Sequence, residues 1–440
     1  MSAIASEMSS PFERGSRFPA PTESAVTTVR FPKRVAAALR PNFLVRWAFY
    51  LSIFTIPVSH LYLPGTGDRV GVERIVQVLI LFGVLSQPRV CLRFVPAALF
   101  WFLAYIGIRI LWGLWLTPEM SAYWWPSSRE FVELLPWVWV MFNVLQFPEA
   151  RRGGWWALGL GCSLGALCQV AGIGATAVDN GLDDRFSAFG LNANELGATY
   201  AAAMISLLGL WMTRTGTWIQ RLLPFLLIVL LGVAMAKTGS RTAILILIMG
   251  VLVLLCFGKM FGSNWRRLAC LLLLGTAVAA ILWQNPTAME RFQEISLQNI
   301  GQDNPRARMA PVLWKMFLRS PLYGSGPDGY EYELTRQAMP YLFNQNTVID
   351  SHNLALMLLV ETGVIGFLLF TWGVALALAA AWRARRQSCG PLPLALLLPF
   401  VVAGATVTHP ASYLVFWMAI AYSLAGAGWQ LRNLRPGQGN

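Results

Sequence analysis

The chain has 440 residues, of which 56% are hydrophobic and only 12% charged, and its formal net charge is +13. Soluble domains carry about 25% charged residues, so this composition excludes a cytosolic enzyme, a disordered chain and a secreted disulfide scaffold. A nucleic-acid-binding protein is excluded because its basic residues would cluster on one water-facing surface, whereas here they are scattered between apolar runs. The class that remains is an all-α polytopic membrane protein.

The six cysteines indicate neither a disulfide framework nor a metal centre. No CxxC pair occurs, and no cysteine lies in the long polar stretch 285–350. Packing is therefore their expected role. The N-terminal segment 1–42 is polar, proline-rich and basic and lacks the apolar core of a signal peptide, which predicts a partly disordered cytoplasmic tail.

Apolar runs define the organisation of the chain, since a membrane-spanning helix needs about 20 mostly apolar residues. Twelve such runs lie at 43–63, 70–86, 94–116, 131–147, 155–177, 193–212, 219–236, 240–258, 266–284, 352–381, 391–408 and 411–430. Nine predicted transmembrane helices thus occupy 43–284 and three occupy 351–430, before a short cytoplasmic tail at 431–440.

The distribution of basic residues predicts the orientation. With the N-terminus inside, the inner segments hold 20 bases and four acids, whereas the outer segments and helix ends hold 12 bases and 17 acids. The positive-inside rule then places both termini in the cytoplasm. Arg109 lies in mid-span, where its charge requires an acidic or water-lined partner that the sequence does not identify.

One outer segment, the loop 285–350 between the ninth and tenth spans, is far longer than the other connections, and loops of this length are functional or disordered. Pro311 suits a helix start. The residues after it form an apolar stripe at helical spacing, comprising Val312, Leu313, Met316 and Phe317. This pattern predicts an amphipathic helix near 311–320, at the outer surface of the membrane.

Three histidines, His60, His352 and His409, map near the outer face. His352 opens the tenth span, which Asp350 or Ser351 can cap. A histidine at the membrane–water boundary suits a general base or acid. The alternative is a polar interfacial residue that hydrogen-bonds a loop.

The positive-inside rule disfavours basic residues on the outer side, so those that occur there are expected to have a specific role. Arginine grips phosphate with two parallel hydrogen bonds and stays charged, and a Gly-Ser turn at a helix start offers backbone N–H groups to an anion. The residues that suit a diphosphate are Arg185, Lys237, Ser240 and Arg241, with Arg306 and Arg308 of the long loop as secondary candidates. The alternative is pairing with local acids such as Asp183, Asp184, Glu195 and Asp350.

Other signals are weaker. Asp183 and Asp184 lack a third ligand, so no metal site is predicted. Trp124 and Trp125 fall in a predicted outer loop, where they suit an aromatic belt or, alternatively, stacking on a sugar. Because the sequence contains no P-loop, GxSxG or HExxH motif, the substrate of any reaction is expected to arrive already activated.

Three motifs, all on the predicted outer side, resemble the O-antigen ligase family and its relatives, the O-antigen polymerases and protein O-oligosaccharyltransferases. Arg185-Phe186-Ser187 through Asn192-Ala193-Asn194 is similar to the family's Arg-x-Ser-Gly…Asn stretch, with Ala188 in place of the usual Gly. Thr238-Gly239-Ser240-Arg241-Thr242 resembles its Ser-Arg turn. Ser351-His352-Asn353 followed by Glu361-Thr362-Gly363-Val364-Ile365-Gly366 is similar to its His-Asn…Glu-x-Gly-x-x-Gly signature.

The resemblance implies a GT-C-like glycosyltransferase of the bacterial inner membrane, with its active site facing the periplasm. It implies inverting transfer of O-antigen from undecaprenyl diphosphate to a sugar hydroxyl of lipid A-core, in lipopolysaccharide biosynthesis, without a cofactor or metal. On this interpretation His352 is the general base, and the outer arginines hold the diphosphate. The residues given roles or secondary roles are His352, Arg185, Arg241, Lys237, Ser240, Arg306, Arg308, Asn194 and Asn353.

Two alternatives stay open at this point. An O-antigen polymerase or a protein O-oligosaccharyltransferase would share the donor chemistry and differ in the acceptor. A flippase or other transporter of lipid-linked glycans would carry its charges near the bilayer midplane, where the sequence offers only Arg109 among the candidates.

Overall fold

The computed structural model describes residues 40–61, 71–178, 185–212, 218–258, 275, 305–330, 353–386, 390–404 and 413–427. The helices belong to one compact unit that begins at Pro41. They are α1 (Phe43–Phe54), α2 (Val72–Ser86), α3 (Ala97–Leu116), α4 (Ser121–Val144), α5 (Pro148–Val170), α6 (Ala193–Met212), α7 (Trp218–Thr238), α8 (Arg241–Phe257), α9 (Pro305–Arg319), α10 (Leu354–Ala384), α11 (Leu392–Ala403) and α12 (Leu414–Gly426). Short helical turns cover Ile56–Val58, Pro88–Cys91 and Pro118–Met120, and β1 (Ala175–Val178) pairs with β2 (Arg185–Ala188).

The helical membrane class predicted from composition is supported. Among the described residues, α3, α6 and α10 are long and apolar enough to cross a membrane, and shorter apolar helices are α1, Leu222–Thr238 of α7, α8, α11 and α12. The ninth predicted span, 266–284, lies outside the described residues apart from Gly275. The number of twelve spans therefore stays a prediction.

Helix α6 lies at the centre of one half of the bundle. Its sequence is rich in alanine and other small residues, and nearly all of its side chains are buried. A helix that is apolar on every side is buried on every side, and small side chains allow close approach of its neighbours. Helices α5, α7, α8 and α11 pack around it.

A second group of helices, α3, α4, α10 and α12, is joined by aromatic rings. The ring of Phe102 on α3 lies 5.5 Å from that of Phe370 on α10 and 5.0 Å from that of Trp417 on α12, both edge to face. A Cβ atom at Gly373 would lie 2.8 Å from the Phe102 ring. Edge-to-face contacts are directional, so they fix these three helices against one another.

The two ends of the bundle differ in composition. We call the end where α9 and the turn 320–330 pack the loop end; there the ring of Tyr323 lies 5.5 Å from that of Trp112, near the end of α3. At the opposite end, the rings of Phe257 and Trp382 lie 5.3 Å apart. This opposite end holds Arg151, Arg152, Arg383, Arg385 and Arg386. Its basic character supports the predicted cytoplasmic side, although the orientation stays a prediction.

Helix α9 corresponds to the predicted amphipathic helix but begins at Pro305, so Pro311 lies inside it and does not start it. Leu313, Met316 and Phe317 of the predicted stripe are buried and face α10, whereas Val312 is half-buried. The helix is therefore docked on the bundle by its apolar side.

Helix α4 begins at Ser121, ten residues before the predicted span at 131, so Trp124 and Trp125 lie in a helix and the predicted outer loop is wrong here. Trp124 is 2% exposed, and its Nε1 donates to the carbonyl of Thr117 at 2.9 Å. Its ring fills the space beside Gly113, where a Cβ would lie 2.7 Å away. Trp124 is thus a packing residue and neither a belt nor a sugar-stacking residue, because burial leaves its ring inaccessible.

The β1–β2 hairpin was not predicted. Ala175 pairs with Ala188 and Val178 with Arg185, in antiparallel register. Strands of only four residues carry no alternation long enough to indicate a strand. The hairpin places the Arg185 motif directly before α6.

Helix α10 is broken at Gly363, where φ is 64° and ψ is −168°. This backbone conformation is essentially restricted to glycine. The amide of Val364 donates to the carbonyl of Pro321 at 2.9 Å, in the turn that follows α9. A Cβ at position 363 would collide with the carbonyl of Leu322.

We expect Gly363→Ala to lower stability by at least about 1–3 kcal/mol, because alanine strains this backbone conformation and its Cβ must displace Leu322. The measurement is the thermal unfolding midpoint in detergent. Gly107→Ala, on α3, is the matched control, since a Cβ there meets nothing within 4 Å. Equal midpoints for the two variants would contradict the assignment of Gly363 as an obligatory glycine.

Candidate active site at the loop end

The turn 237–241 connects α7 to α8 and carries the second motif. Gly239 has a positive φ of 59°, and Ser240 caps α8 by accepting a hydrogen bond from the Ala243 amide at 3.3 Å. Ser240 is buried, whereas Arg241, the first residue of α8, is exposed. The turn therefore presents a guanidinium group at the positive end of a helix dipole, an arrangement that favours anions.

Strand β2 brings the first motif to this turn. The ammonium of Lys237 lies 6.0 Å from the ring centroid of Phe186, and β2 packs against α6 and α7. Arg185, the neighbour of Phe186, is the first residue of β2, and its side chain lies outside the described part. The structure thus brings the backbone of Arg185 and the side chain of Lys237 to the same region.

The start of helix α6 packs against the turn 237–241 from the other side. A Cβ at Gly197 would lie 2.9 Å from both Ser240 Cβ and Thr238 Oγ1. The backbone amide of Asn194, half-buried one turn earlier, donates a hydrogen bond to Asn192 Oδ1 at 2.9 Å. This close approach requires a glycine at position 197, and it fixes the Asn motif against the Ser-Arg turn.

The third motif leads into α10. Asn353 caps this helix, because its Oδ1 accepts a hydrogen bond from the Leu356 amide at 3.1 Å. The prediction that Asp350 or Ser351 forms the cap is wrong in this respect. Those two residues and His352 lie outside the described residues.

Packing against α11 shows that the starts of α8 and α10 lie at the same end. Leu392 contacts Gly209 near the end of α6, and the Ala395 carbonyl faces Gly250 of α8, so α11 runs towards the loop end. At its end, a Cβ at Gly404 would lie 3.7 Å from Leu354 Cδ2. The number of residues from Ala395 to Gly404 on α11 equals the number from Arg241 to Gly250 on α8. Because Ala395 contacts Gly250 and Gly404 lies next to Leu354, Arg241 and Leu354 lie at a similar depth in the bundle.

Arg109 has its acidic partners in the same end of the bundle. We call Arg109, Asp328 and Glu361 the charge cluster; their side chains are all buried. Arg109 Nη2 donates to Asp328 Oδ1 at 3.1 Å, and Arg109 Nη1 donates to Glu361 Oε2. Removing one partner of a buried ion pair costs about 3–5 kcal/mol, because the other charge is left uncompensated.

Hydroxyl groups of α4 complete the coordination of Arg109. Its Nε donates to Ser128 Oγ at 3.2 Å and its Nη2 to Ser127 Oγ at 2.9 Å. Ser127 Oγ in turn donates to Asp328 Oδ2 at 2.7 Å. The guanidinium of Arg109 on α3 thus bonds to two other helices, α4 and α10, and to the turn after α9.

Sequence analysis identified the need for a partner of Arg109 but missed both carboxylates. Asp328 and Glu361 lie 219 and 252 residues further along the chain, so no local spacing relates them to Arg109. One usable signal was present, since Glu361 is the acidic residue of the Glu-x-Gly-x-x-Gly signature. Asp328, in the turn after α9, gave no comparable signal.

The remaining candidates are described only in part. Arg306 and Arg308 lie in the first two turns of α9, but their side chains fall outside the described part. His409, Asp183 and Asp184 also lie outside it, whereas the carbonyl of His60 lies 3.1 Å from a Cβ placed at Gly190, next to β2. In the part that is described, no three His, Cys, Asp or Glu side chains group as potential metal ligands.

Two comparisons with known proteins bear on this site. Residues 226–371 match the family model described as O-Antigen ligase. An O-antigen ligase of Pseudomonas aeruginosa strain PAO1 is 26% identical over 377 residues, which cover 81% of this chain and 86% of that protein. The matched range of the family model includes the turn 237–241, His352 and Glu361, whereas Arg185 and Arg109 precede it.

We expect Gly197→Ala to lower the unfolding midpoint, because its Cβ would lie within 3.0 Å of Ser240, Thr238 and Ala243 and would push α6 away from the turn. Gly232→Ala, on α7, is the control. A Cβ there meets only Met204 Cε, at 3.9 Å, and the gain in helix propensity, up to about 1 kcal/mol, leaves stability equal or higher. Thermal unfolding of the two variants gives the comparison, and an unchanged Gly197→Ala midpoint would contradict the tight packing.

Proposed function

We propose that this chain transfers O-antigen from undecaprenyl diphosphate to a sugar hydroxyl of lipid A-core. Its motifs and both comparisons support its membership of the O-antigen ligase family. The family implies an enzyme of the glycosyltransferase type. The donor, the acceptor, the periplasmic location in the bacterial inner membrane and the residue roles are parts of the proposal. One observation carries it: Lys237 of the turn 237–241 lies over Phe186 of β2, and this turn and the start of α10 lie at a similar depth at the loop end.

The diphosphate of the donor suits the turn 237–241. Arg241 and Lys237 supply positive charge there, and Ser240 orients the first turn of α8. Charge-assisted hydrogen bonds are about twice as strong as neutral ones, and the guanidinium stays charged at any physiological pH. Arg185 is the first residue of β2, whose backbone packs against α6 and α7, and Arg306 and Arg308 are further candidates.

The transfer itself needs one base and one stabilised leaving group. His352 takes the proton of the acceptor hydroxyl, and that oxygen attacks the anomeric carbon of the donor sugar. The bond from this carbon to the diphosphate oxygen breaks, and the diphosphate leaves with the bonding electrons and with inversion of the anomeric centre. Arg241 and Arg185 stabilise the charge that develops on the leaving oxygen, so we expect no metal requirement.

The exposed side of α9 supports access from the membrane. Trp314 and Leu318 are exposed one turn apart, and Lys315 and Arg319 follow them at the same spacing. An apolar edge beside basic residues suits the boundary between acyl chains and anionic headgroups. Both proposed substrates are lipids with anionic groups at that depth.

The direct test is transfer by the purified protein in proteoliposomes that contain lipid-linked O-antigen and lipid A-core. Ligase activity gives glycan attached to lipid A-core. Product attached to a second lipid-linked glycan would identify a polymerase, and product attached to a protein would identify a protein O-oligosaccharyltransferase. Glycan that crosses the bilayer without transfer would identify a transporter and would overturn the proposal.

We expect Arg241→Ala to raise the Kd for the lipid-linked donor by about 10- to 100-fold, because a charged hydrogen-bonding group contributes about 1.5–3 kcal/mol. Arg241→Lys should restore only part of this affinity, since lysine keeps the charge and loses the two-pronged grip. Arg383→Ala, which removes an exposed cation at the opposite end of the bundle, is the control. Unchanged donor affinity in Arg241→Ala would count against the diphosphate site.

We expect His352→Ala to lower the transfer rate by about 10²–10⁴-fold, the usual contribution of a general base. Donor binding should stay close to that of the wild type, because the diphosphate is held by other residues. Single-turnover transfer and equilibrium donor binding separate the two effects. Wild-type turnover in His352→Ala would remove this residue from catalysis.

A further inference from the structure

The charge cluster joins parts of the chain that are far apart in sequence. Arg109 comes from α3, Asp328 from the turn after α9 and Glu361 from the first part of α10. It holds one guanidinium and two carboxylates, bonded to Ser127 and Ser128, inside the helical bundle. Ionisable groups inside a membrane bundle are costly and are associated with function. Neither the diphosphate nor the acceptor chemistry described above uses them.

A second set of bonds ties the same turn to α10. Ser325 and Gly326 donate their amides to the carbonyls of Val360 and Glu361, at 2.7 and 3.0 Å. The amide of Asp328 donates to Glu361 Oε1 at 3.2 Å. The break at Gly363 takes Val364 out of the helical hydrogen-bond ladder, so the turn supplies donors that the helix itself no longer provides.

The break divides α10 into a short entry segment, 354–362, and a long remainder. A continuous helix would fix the direction of its first residues, but the non-helical backbone at Gly363 removes that constraint. The direction of the entry segment then depends on the contacts at its end next to the break, which are those between Glu361 and the turn after α9. Seven residues separate Glu361 from Leu354, or about 10 Å at 1.5 Å per residue.

We propose that the charge cluster is a positioning device for glycan transfer, which fixes the entry segment of α10 relative to the turn 237–241. This inference rests on the proposed function, because Asn353 and the proposed base His352 directly precede the entry segment. Arg109, Asp328 and Glu361 touch no substrate in this scheme and act through the placement of that segment. Arginine suits this role because its planar group makes several directed bonds at once, whereas lysine offers a single point charge.

Glu361→Gln is the decisive variant. One oxygen of Glu361 accepts from Arg109 and the other from the Asp328 amide, and glutamine keeps only one acceptor oxygen. We expect kcat to fall by about 10- to 100-fold, because a displacement of about 1 Å at a reacting group costs up to about 10²-fold. The KM for the donor should stay within about twofold of the wild-type value, since the turn 237–241 is untouched. Arg109→Lys, a second variant, should show the same split.

Two controls separate positioning from stability. Arg129→Gln removes an exposed ion pair with Glu133, on the same helix that provides Ser127 and Ser128, and should leave kcat unchanged. Leu158→Ala opens a cavity at a fully buried position of α5 and should lower the unfolding midpoint without lowering kcat per folded molecule. The inference fails if, in both Leu158→Ala and Glu361→Gln, kcat per folded molecule falls in proportion to the drop in the unfolding midpoint. That result would mean that the cluster contributes stability alone.

A distance measurement decides the inference independently of transfer activity. Spin labels are placed at the exposed positions Ala355 and Leu245 in a variant whose native cysteines are replaced, and their distance distribution is recorded by pulsed electron paramagnetic resonance. We expect a narrow distribution in this background, a broadened or shifted one with Glu361→Gln, and no change with Arg129→Gln. An unchanged distribution with Glu361→Gln overturns the positioning role. Absence of transfer in the wild type would overturn only the proposed function.

Discussion

The loop end of this bundle depends on the neutralisation of one guanidinium group inside an apolar environment. Arg109 is only 2% exposed, so its charge must be met by protein groups, and Asp328 and Glu361 together with two serine hydroxyls meet it. Those partners come from three different parts of the chain, and Arg109 itself comes from a fourth. Satisfying a single buried cation therefore requires that α3, α4, α10 and the turn after α9 all reach their places.

Membrane composition and the main helices could be predicted from the sequence, because they follow from local hydrophobicity. Helix α6 is a clear example, since its predicted bounds agree with the observed Ala193–Met212. The boundaries of α4 and α9 were predicted less well. Pro311 predicts a helix start and the apolar run predicts a span from 131, whereas Pro311 lies inside α9 and α4 begins at Ser121 with Pro126 inside it; tertiary contacts there outweigh the local preference of proline.

The candidate site was predictable where its motifs are short and contiguous. The Ser-Arg turn and the Asn353 segment could be identified by resemblance, and the structure puts the turn beside β2 and the Asn motif. The charge cluster could not be found in this way, since one basic residue and two acidic ones distributed along the chain carry no information about their contact. The energetic cost of a mid-span arginine predicted a partner, and the signature that contains Glu361 was the one further signal.

The break in α10 also has a consequence for how the protein enters the membrane. The carbonyls of Val360 and Glu361 find their donors in Ser325 and Gly326, which belong to the preceding loop. A newly inserted α10 would expose these carbonyls to lipid, where an unpaired backbone group costs several kcal/mol. Stable integration of this helix thus waits for the earlier loop to dock, which makes the biogenesis of the last helices conditional on that loop's folding.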